Sequence, residues 1–353
     1  MKPTSPLPDS MTNTTSERMN DVILSVEGLV ASFSTEAGRI RAVDDVGFEV
    51  RKGRTLGIVG ESGCGKSVTA LSIMRLLPRP SGFIEAGRIW LDGIDLAGLD
   101  ARDMHRIRGK RISMIFQEPM TALNPVHRTG KQLREVFELH FSEMREKEIW
   151  RRSVALFKRV GIPDPEQRLM EYPHQMSGGM RQRVMIAMAL AGNPEVLIAD
   201  EPTTALDVTI QAQILDLIKD LQKETGMAVI FITHDLGVIA EMCDDVVVMY
   251  AGKLAETASV VDLFYHPKHP YTRGLLASIP RLENTRKEKL SVIEGLVPSL
   301  YELPEGCRFY NRCPDRRPVC ASVFPEARQV GEGHTAWCYL YPANDKQHTG
   351  KAQ

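Results

Sequence analysis

Residues 60–67 read Gly60-Glu61-Ser62-Gly63-Cys64-Gly65-Lys66-Ser67. They match the phosphate-binding pattern G-x-x-x-x-G-K-[ST] at every fixed position. The preceding Thr55-Leu56-Gly57-Ile58-Val59 is short, apolar and partly β-branched, as suits a buried strand. After the loop, Leu71, Met74 and Leu77 recur at helical spacing and Pro78 supplies a stop. Strand, glycine-rich turn and helix thus follow in the order an anion cradle requires. Gly60, Gly63 and Gly65 let the backbone turn tightly with its N–H groups inward, and the helix N-terminus adds partial positive charge. Lys66 is expected to reach the β- and γ-phosphates of a nucleotide, and the Ser67 hydroxyl to sit on Mg²⁺. Ser62, Cys64 and Val68 fall in the same candidate nucleotide-binding stretch, although Cys64, like Cys243, reads as an incidental small residue.

Outward from the loop, residues 22–50 alternate and carry Val, Ile and Phe around Glu36-Ala37-Gly38, which predicts an antiparallel strand pair. Phe33 lies in it, suited either to sheet packing or to stacking on a base. Strands are also expected over 87–93 and 110–116, the second delivering Gln117 at its end, where ligands of nucleotide-binding sheets sit. Residues 120–192 lack strand signals. Leu133, Val136, Phe137 and Phe141 form one helical stripe, and Trp150, Val154 and Phe157 another. This reads as a helical insertion ending at Met176-Ser177-Gly178-Gly179, where Ser177 would cap the next helix or donate to an anion.

Val196-Leu197-Ile198-Ala199 is an apolar strand running into Asp200 and Glu201. Adjacent acids at that place suit chemistry: Asp200 holding Mg²⁺ through water, Glu201 orienting or deprotonating an attacking water. Thr204-Ala205-Leu206-Asp207 leads into a helix over 210–221, and a strand over 228–233 ends at His234, a candidate γ-phosphate contact. Residues 246–250 and 252–256 are expected to finish the sheet.

The 353 residues carry a formal net charge of -1, with 43% hydrophobic and 25% charged residues. That composition suits an ordinary globular protein and gives no bulk attraction to nucleic acid. Residues 1–20 are expected to be a disordered tail, neither signal peptide nor anchor. In a cytosolic setting six cysteines are not expected to form structural disulfides.

Taken in order, the phosphate loop, Gln117, Ser177-Gly178-Gly179, Asp200-Glu201, Ala205-Leu206-Asp207 and His234 resemble the nucleotide-binding subunit of an ATP-binding cassette (ABC) transporter, over residues 22–262. The resemblance implies an α/β fold: a P-loop ATPase core of mixed sheet with an antiparallel β subdomain, plus a helical subdomain. It implies ATP and Mg²⁺ as cofactors, with Gln117 contacting the metal and sensing the membrane partner. Glu201 becomes the catalytic carboxylate and His234 the switch residue. Ser177, Gly178 and Gly179 would contact the γ-phosphate of ATP bound to a facing subunit, Asp207 would belong to the same nucleotide site, and Phe33 would stack on adenine. Position 180 departs from the pattern, with Met for the usual Gln; Ser177 and backbone N–H groups carry that contact, so function is expected to survive.

From 263 the sequence changes. His266-Pro267-Lys268-His269-Pro270-Tyr271-Thr272-Arg273 leads to a short helix and a basic stretch, and then Cys307, Cys313, Cys320 and Cys338 follow in a C-x₅-C-x₆-C-x₁₇-C spacing. Four thiolates can hold zinc or a [4Fe–4S] cluster. His266 and His269 read as surface or packing residues. With Gly295-Leu296-Val297-Pro298, the 263–353 extension resembles the dipeptide/oligopeptide subgroup of ABC importers, whose four cysteines are associated with an iron–sulfur cluster. That resemblance favours [4Fe–4S] over zinc, in a structural role.

The implied protein is an ATPase subunit on the cytoplasmic face of the inner membrane. Its partners would be a second, related ATP-binding subunit, two transmembrane permease subunits docked near residues 118–126, and an extracytoplasmic solute-binding protein. Nickel or another small solute is the alternative cargo. A soluble cassette acting on DNA or ribosomes fits less well, since the chain has one cassette and no long coiled-coil arm. A cysteine site regulating the ATPase by redox would be compatible with the importer.

Overall fold

The computed structural model describes residues 21–118, 122–203, 207–279 and 292–343. The expected tail at 1–20, residues 119–121 of the expected docking segment, Ala205-Leu206 and the basic stretch within 280–291 lie outside the described residues.

Two sheets carry the fold. In the first, β1 (Val22–Thr35) and β2 (Gly38–Arg51) form the expected antiparallel hairpin, with Phe33 opposite Ile40. The second sheet has β3 (Thr55–Val59) at its centre, followed through the phosphate loop by helix α1 (Lys66–Ile73). β4 (Gly82–Leu91) and β5 (Ile94–Asp95) then complete the first sheet, in the order β2-β1-β4-β5. Helix α2 (Ala101–Ile107) returns the chain to β6 (Ile112–Ile115).

Between β6 and β7 (Val196–Asp200) come α3 (Thr129–His140), α4 (Glu146–Arg159), α5 (Pro165–Leu169) and α6 (Gly178–Leu190). On α4 the buried stripe is Ile149, Ser153 and Phe157, and Trp150 is exposed. Phe157 closes both the expected and the observed stripe. The observed stripe can bury a serine because the Ser153 hydroxyl is satisfied by donating to Ile149 O at 2.8 Å.

After β7, α7 (Val208–Thr225), β8 (Ala228–Ile232), α8 (Leu236–Met242) and β9 (Asp245–Tyr250) follow. The run β9-β3-β8-β7-β6 is parallel, and every residue of β3, β7 and β8 is buried. Helices cover both faces of such a sheet, which explains unbroken apolar runs where an exposed sheet would alternate.

β10 (Lys253–Ser259) pairs antiparallel with β9 but does not finish the sheet. Past α9 (Val260–Tyr265) and α10 (Pro270–Ala277), the hairpin of β11 (Arg328–Gly331) and β12 (His334–Ala336) adds to it, Glu256 pairing with Ala336 and Thr257 with Thr335. An open β10 edge would leave a row of backbone donors and acceptors unpaired, and the hairpin covers them. A hydrophobic cluster of Val59, Leu263, Tyr250, Tyr271 and Phe309 joins this side of the sheet to the Cys-rich segment. Each such buried aromatic or aliphatic side chain stabilises by roughly 1.5–3 kcal/mol.

Candidate active site

The phosphate loop turns between β3 and α1. Gly65, at φ +103, occupies the residue before α1, and a Cβ there would lie 2.6 Å from Ala42 O. At Gly60 a Cβ would lie 2.2 Å from Met249 O. Only glycine fits either place. The buried Lys66 Nζ donates to Gly60 O at 2.7 Å and Glu61 O at 3.2 Å, holding the ammonium inside the loop. Cys64 is buried, and its carbonyl accepts from Gly252 N at 2.9 Å.

Parallel strand ends bring the acids to this loop. Ser67 Oγ, in the first turn of α1, donates to Asp200 Oδ1 at 3.2 Å. Burial pushes the Asp200 carboxyl up to about 6; the Ser67 hydrogen bond opposes the rise and the neighbouring Glu201 adds to it. Glu201 adopts a left-handed φ of +45, and its N–H donates to Ile232 O at 2.8 Å. A non-glycine residue held there stores strain, a common mark of a working site. The Glu201 carboxylate is gripped from two sides: Gln117 Nε2 donates to Oε2 at 2.9 Å, and His234 Nδ1 lies 3.2 Å from Oε1. Gln117 and His234 are exposed at the ends of β6 and β8, whereas Asp200 is buried. Ser67, Asp200 and Gln117 offer hard oxygen donors, a set that fits Mg²⁺.

The remaining expected residues serve helix ends and packing. Ser177 Oγ accepts from Met180 N at 3.3 Å and caps α6, with Ser177 and Gly178 exposed at that N-terminus. Gly179 faces α7, where a Cβ would lie 3.1 Å from Ile210 Cγ2. Asp207 accepts from Ile210 N at 3.0 Å and caps α7. Phe33 is half-buried with its ring over Gly82. Gln182 Nε2 donates to Pro202 O at 2.5 Å, linking α6 to the residue after Glu201. That link, and the contacts of Tyr271 and Arg312 with Glu61, carry no motif and were not visible in the sequence.

Comparison with known proteins places these observations in a family. The ABC transporter family model matches residues 43–204, and the oligopeptide/dipeptide transporter C-terminal region matches 255–320. The dipeptide transport ATP-binding protein DppD of Bacillus subtilis is 53% identical over 318 residues, 90% of this chain and 94% of that protein. The oligopeptide transport ATP-binding protein OppD of the same organism is 54% identical over 318 residues, 90% of this chain and 88% of that protein. Among solved structures, the ATP-binding cassette MJ0796, a dimer in a post-hydrolysis state bound to ADP and Pi, superposes with a TM-score of 0.61 at 26% identity, covering 67% of this chain and 98% of that one.

The cysteine expectation is corrected. Cys307, Cys313, Cys320 and Cys338 are free and line one small cavity with Tyr310 and Tyr339. Among the described residues, however, no group of three or more His, Cys, Asp or Glu is arranged to hold a metal ion. The names of the relatives speak of peptide transport and ATP binding alone. Burial pushes the Cys307 thiol up to about 12 and the Cys313 thiol up to about 11, with neighbouring thiols adding to both. Neither the [4Fe–4S] assignment nor the zinc alternative stands. His269 is buried and His266 exposed, in packing and surface roles.

Proposed function

Because this chain belongs to the ABC transporter family as an ATP-binding subunit, with the C-terminal region of the oligopeptide/dipeptide transporters, we propose that it hydrolyses ATP to energise import of di- and oligopeptides across the cytoplasmic membrane. The observation that carries the chemistry is the Glu201 carboxylate held between Gln117 and His234, beside the Ser67–Asp200 pair.

In this reading the loop N–H groups of residues 60–67 and the Lys66 ammonium bind the β- and γ-phosphates. Ser67, Asp200 and Gln117 would hold Mg²⁺, which when bound neutralises charge on the phosphate oxygens. Glu201 orients a water in line with the γ-phosphorus and accepts its proton as the bond to ADP breaks. His234, hydrogen-bonded to Glu201, couples that carboxylate to the γ-phosphate. Phe33 stacks on the adenine. Ser177, Gly178 and Gly179, at the N-terminus of α6 with the first two exposed, contact the γ-phosphate of the nucleotide on a facing subunit, so closure depends on ATP and opening on its hydrolysis. The dimeric form of the MJ0796 cassette supports such pairing.

No helix among the described residues is long and apolar enough to cross a membrane. The peptide transport relatives support membrane permease subunits that supply the path, with this chain as a peripheral subunit at the cytoplasmic face. In finer detail, two permeases, a paralogous ATP-binding subunit and an extracytoplasmic peptide-binding protein complete the machine.

The test is uptake of labelled di- and oligopeptides by cells whose native copy is replaced with Glu201→Gln. Uptake lost at normal protein levels is expected. Unchanged uptake would move the cargo elsewhere, with nickel next in line.

A further inference from the structure

Glu61 is the second residue of the phosphate loop, and contacts through three of its groups, the carbonyl, the N–H and the carboxylate, make it the loop's fixed point. Its carbonyl accepts from both Cys64 N and Lys66 Nζ, each at 3.2 Å, so it sets the turn and the lysine together. Its N–H donates to the hydroxyl of the fully buried Tyr271 at 2.8 Å. Its carboxylate meets Arg312 in a bidentate pair, Nη1 to Oε2 at 2.6 Å and Nη2 to Oε1 at 3.0 Å.

Arg312 reaches the loop from the Cys-rich segment. A 3-10 turn over Tyr310–Arg312 places Cys307 and Cys313 on the small cavity, while Phe309 and Arg312 face the ATPase sheet. The Arg312 side chain is only 4% exposed. Its remaining donors go to Ile293 O at 3.2 Å, Glu294 O at 3.1 Å and Tyr250 Oη at 3.3 Å. Phe309 packs edge-on to Tyr250, with ring centroids 5.1 Å apart. A guanidinium so fully engaged holds one orientation, and a bidentate pair transmits it to its partner.

We propose that Arg312 is a positioning residue for ATP binding, acting through Glu61 to hold the phosphate loop and Lys66 in register. The C-terminal segment is thereby a working part of the nucleotide site. The proposal rests on the ATPase reading above.

The test is ATP hydrolysis by the transporter assembled around the full-length chain with its second ATP-binding subunit and permeases, with KM and kcat separated. Arg312→Ala should raise KM about tenfold with a smaller change in kcat, short of the ~100-fold that an ångström of misplacement can cost. Arg312→Lys should recover part of the loss, because it keeps the charge and loses the fork. In a Glu61→Ala background, adding Arg312→Ala should change KM less than twofold. A KM for Arg312→Ala within twofold of wild type, or an undiminished effect in the Glu61→Ala background, overturns the proposal. Should Arg312→Ala not fold, Glu61→Ala and Tyr271→Phe carry the test, and an unchanged KM in both overturns it. If the complex carrying the wild-type chain turns over ATP no faster than the complex carrying Lys66→Ala, the ATPase reading falls instead.

Discussion

His334 Nε2 lies 2.7 Å from Glu256 Oε1, and both side chains are closed to solvent. The same carboxylate accepts from Lys268 N at 2.7 Å and His269 N at 2.8 Å. One acid on β10 thus fastens the His-Pro-Lys-His-Pro turn and the β11–β12 hairpin to the ATPase sheet. These hydrogen bonds hold the Glu256 carboxyl below the usual range although burial pulls the other way. Glu256→Ala strands the buried donors and should destabilise the protein by roughly 1–3 kcal/mol or more, the cost of leaving buried hydrogen-bonding groups without a partner. Urea unfolding monitored by tryptophan fluorescence reads it.

Acid should loosen the same region through His269. Burial, aided by Arg273 and opposed by Glu256, pushes its imidazole down to about 4, and its Nδ1 accepts from Tyr271 N at 3.1 Å. An unfolded histidine titrates near about 6.5. Between those values the unfolded chain binds a proton that the folded chain refuses, so stability falls as pH drops from about 6.5 to about 4. The loss is on the order of 3 kcal/mol. Comparing wild type with His269→Gln across this window isolates the term; equal slopes for the two would refute it.

Gly65→Ala should disable the site at its root. The residue sits at φ +103 with Ala42 O 2.6 Å from where a Cβ would be, so the loop must shift to admit a methyl group. Strain of about 1–3 kcal/mol is expected, together with loss of ATP binding. Thermal melts with and without Mg-ATP check both, since a variant that cannot bind shows no ligand-dependent rise in Tm.

His234→Ala should separate turnover from binding. The ring contacts Glu201 at 3.2 Å yet is exposed, so its removal leaves the core intact. Turnover should fall about 10²-fold or more, the scale of a lost proton-handling partner. ATP affinity should stay within about twofold of wild type, as the phosphate loop is untouched. Single-turnover and equilibrium binding measurements on the same preparation decide it.

Residues 55–67 announced the nucleotide site because phosphate binding needs local things: a buried strand, glycines at positive φ, a lysine and a hydroxyl in fixed order. The buried strands β7 and β8 were legible as unbroken apolar runs, and Ser177 as a cap by its place before a long helix. Residue types alone set these features, since each depends on neighbours within a few positions. Tertiary structure decided the rest. Helical spacing could not choose between Trp150 and Ile149, because each belongs to a helical stripe that includes Phe157 and only packing selects one. Cysteine spacing suggested ligands, but whether side chains come together to hold a metal is set by the tertiary fold, and among the described residues no such group is found. Arg312 and Glu61 lie 251 positions apart, as Glu256 and His334 lie 78 apart. No local pattern encodes such pairs, because what joins them is the shared need of buried charges and backbone groups for partners once the sheet has closed over them.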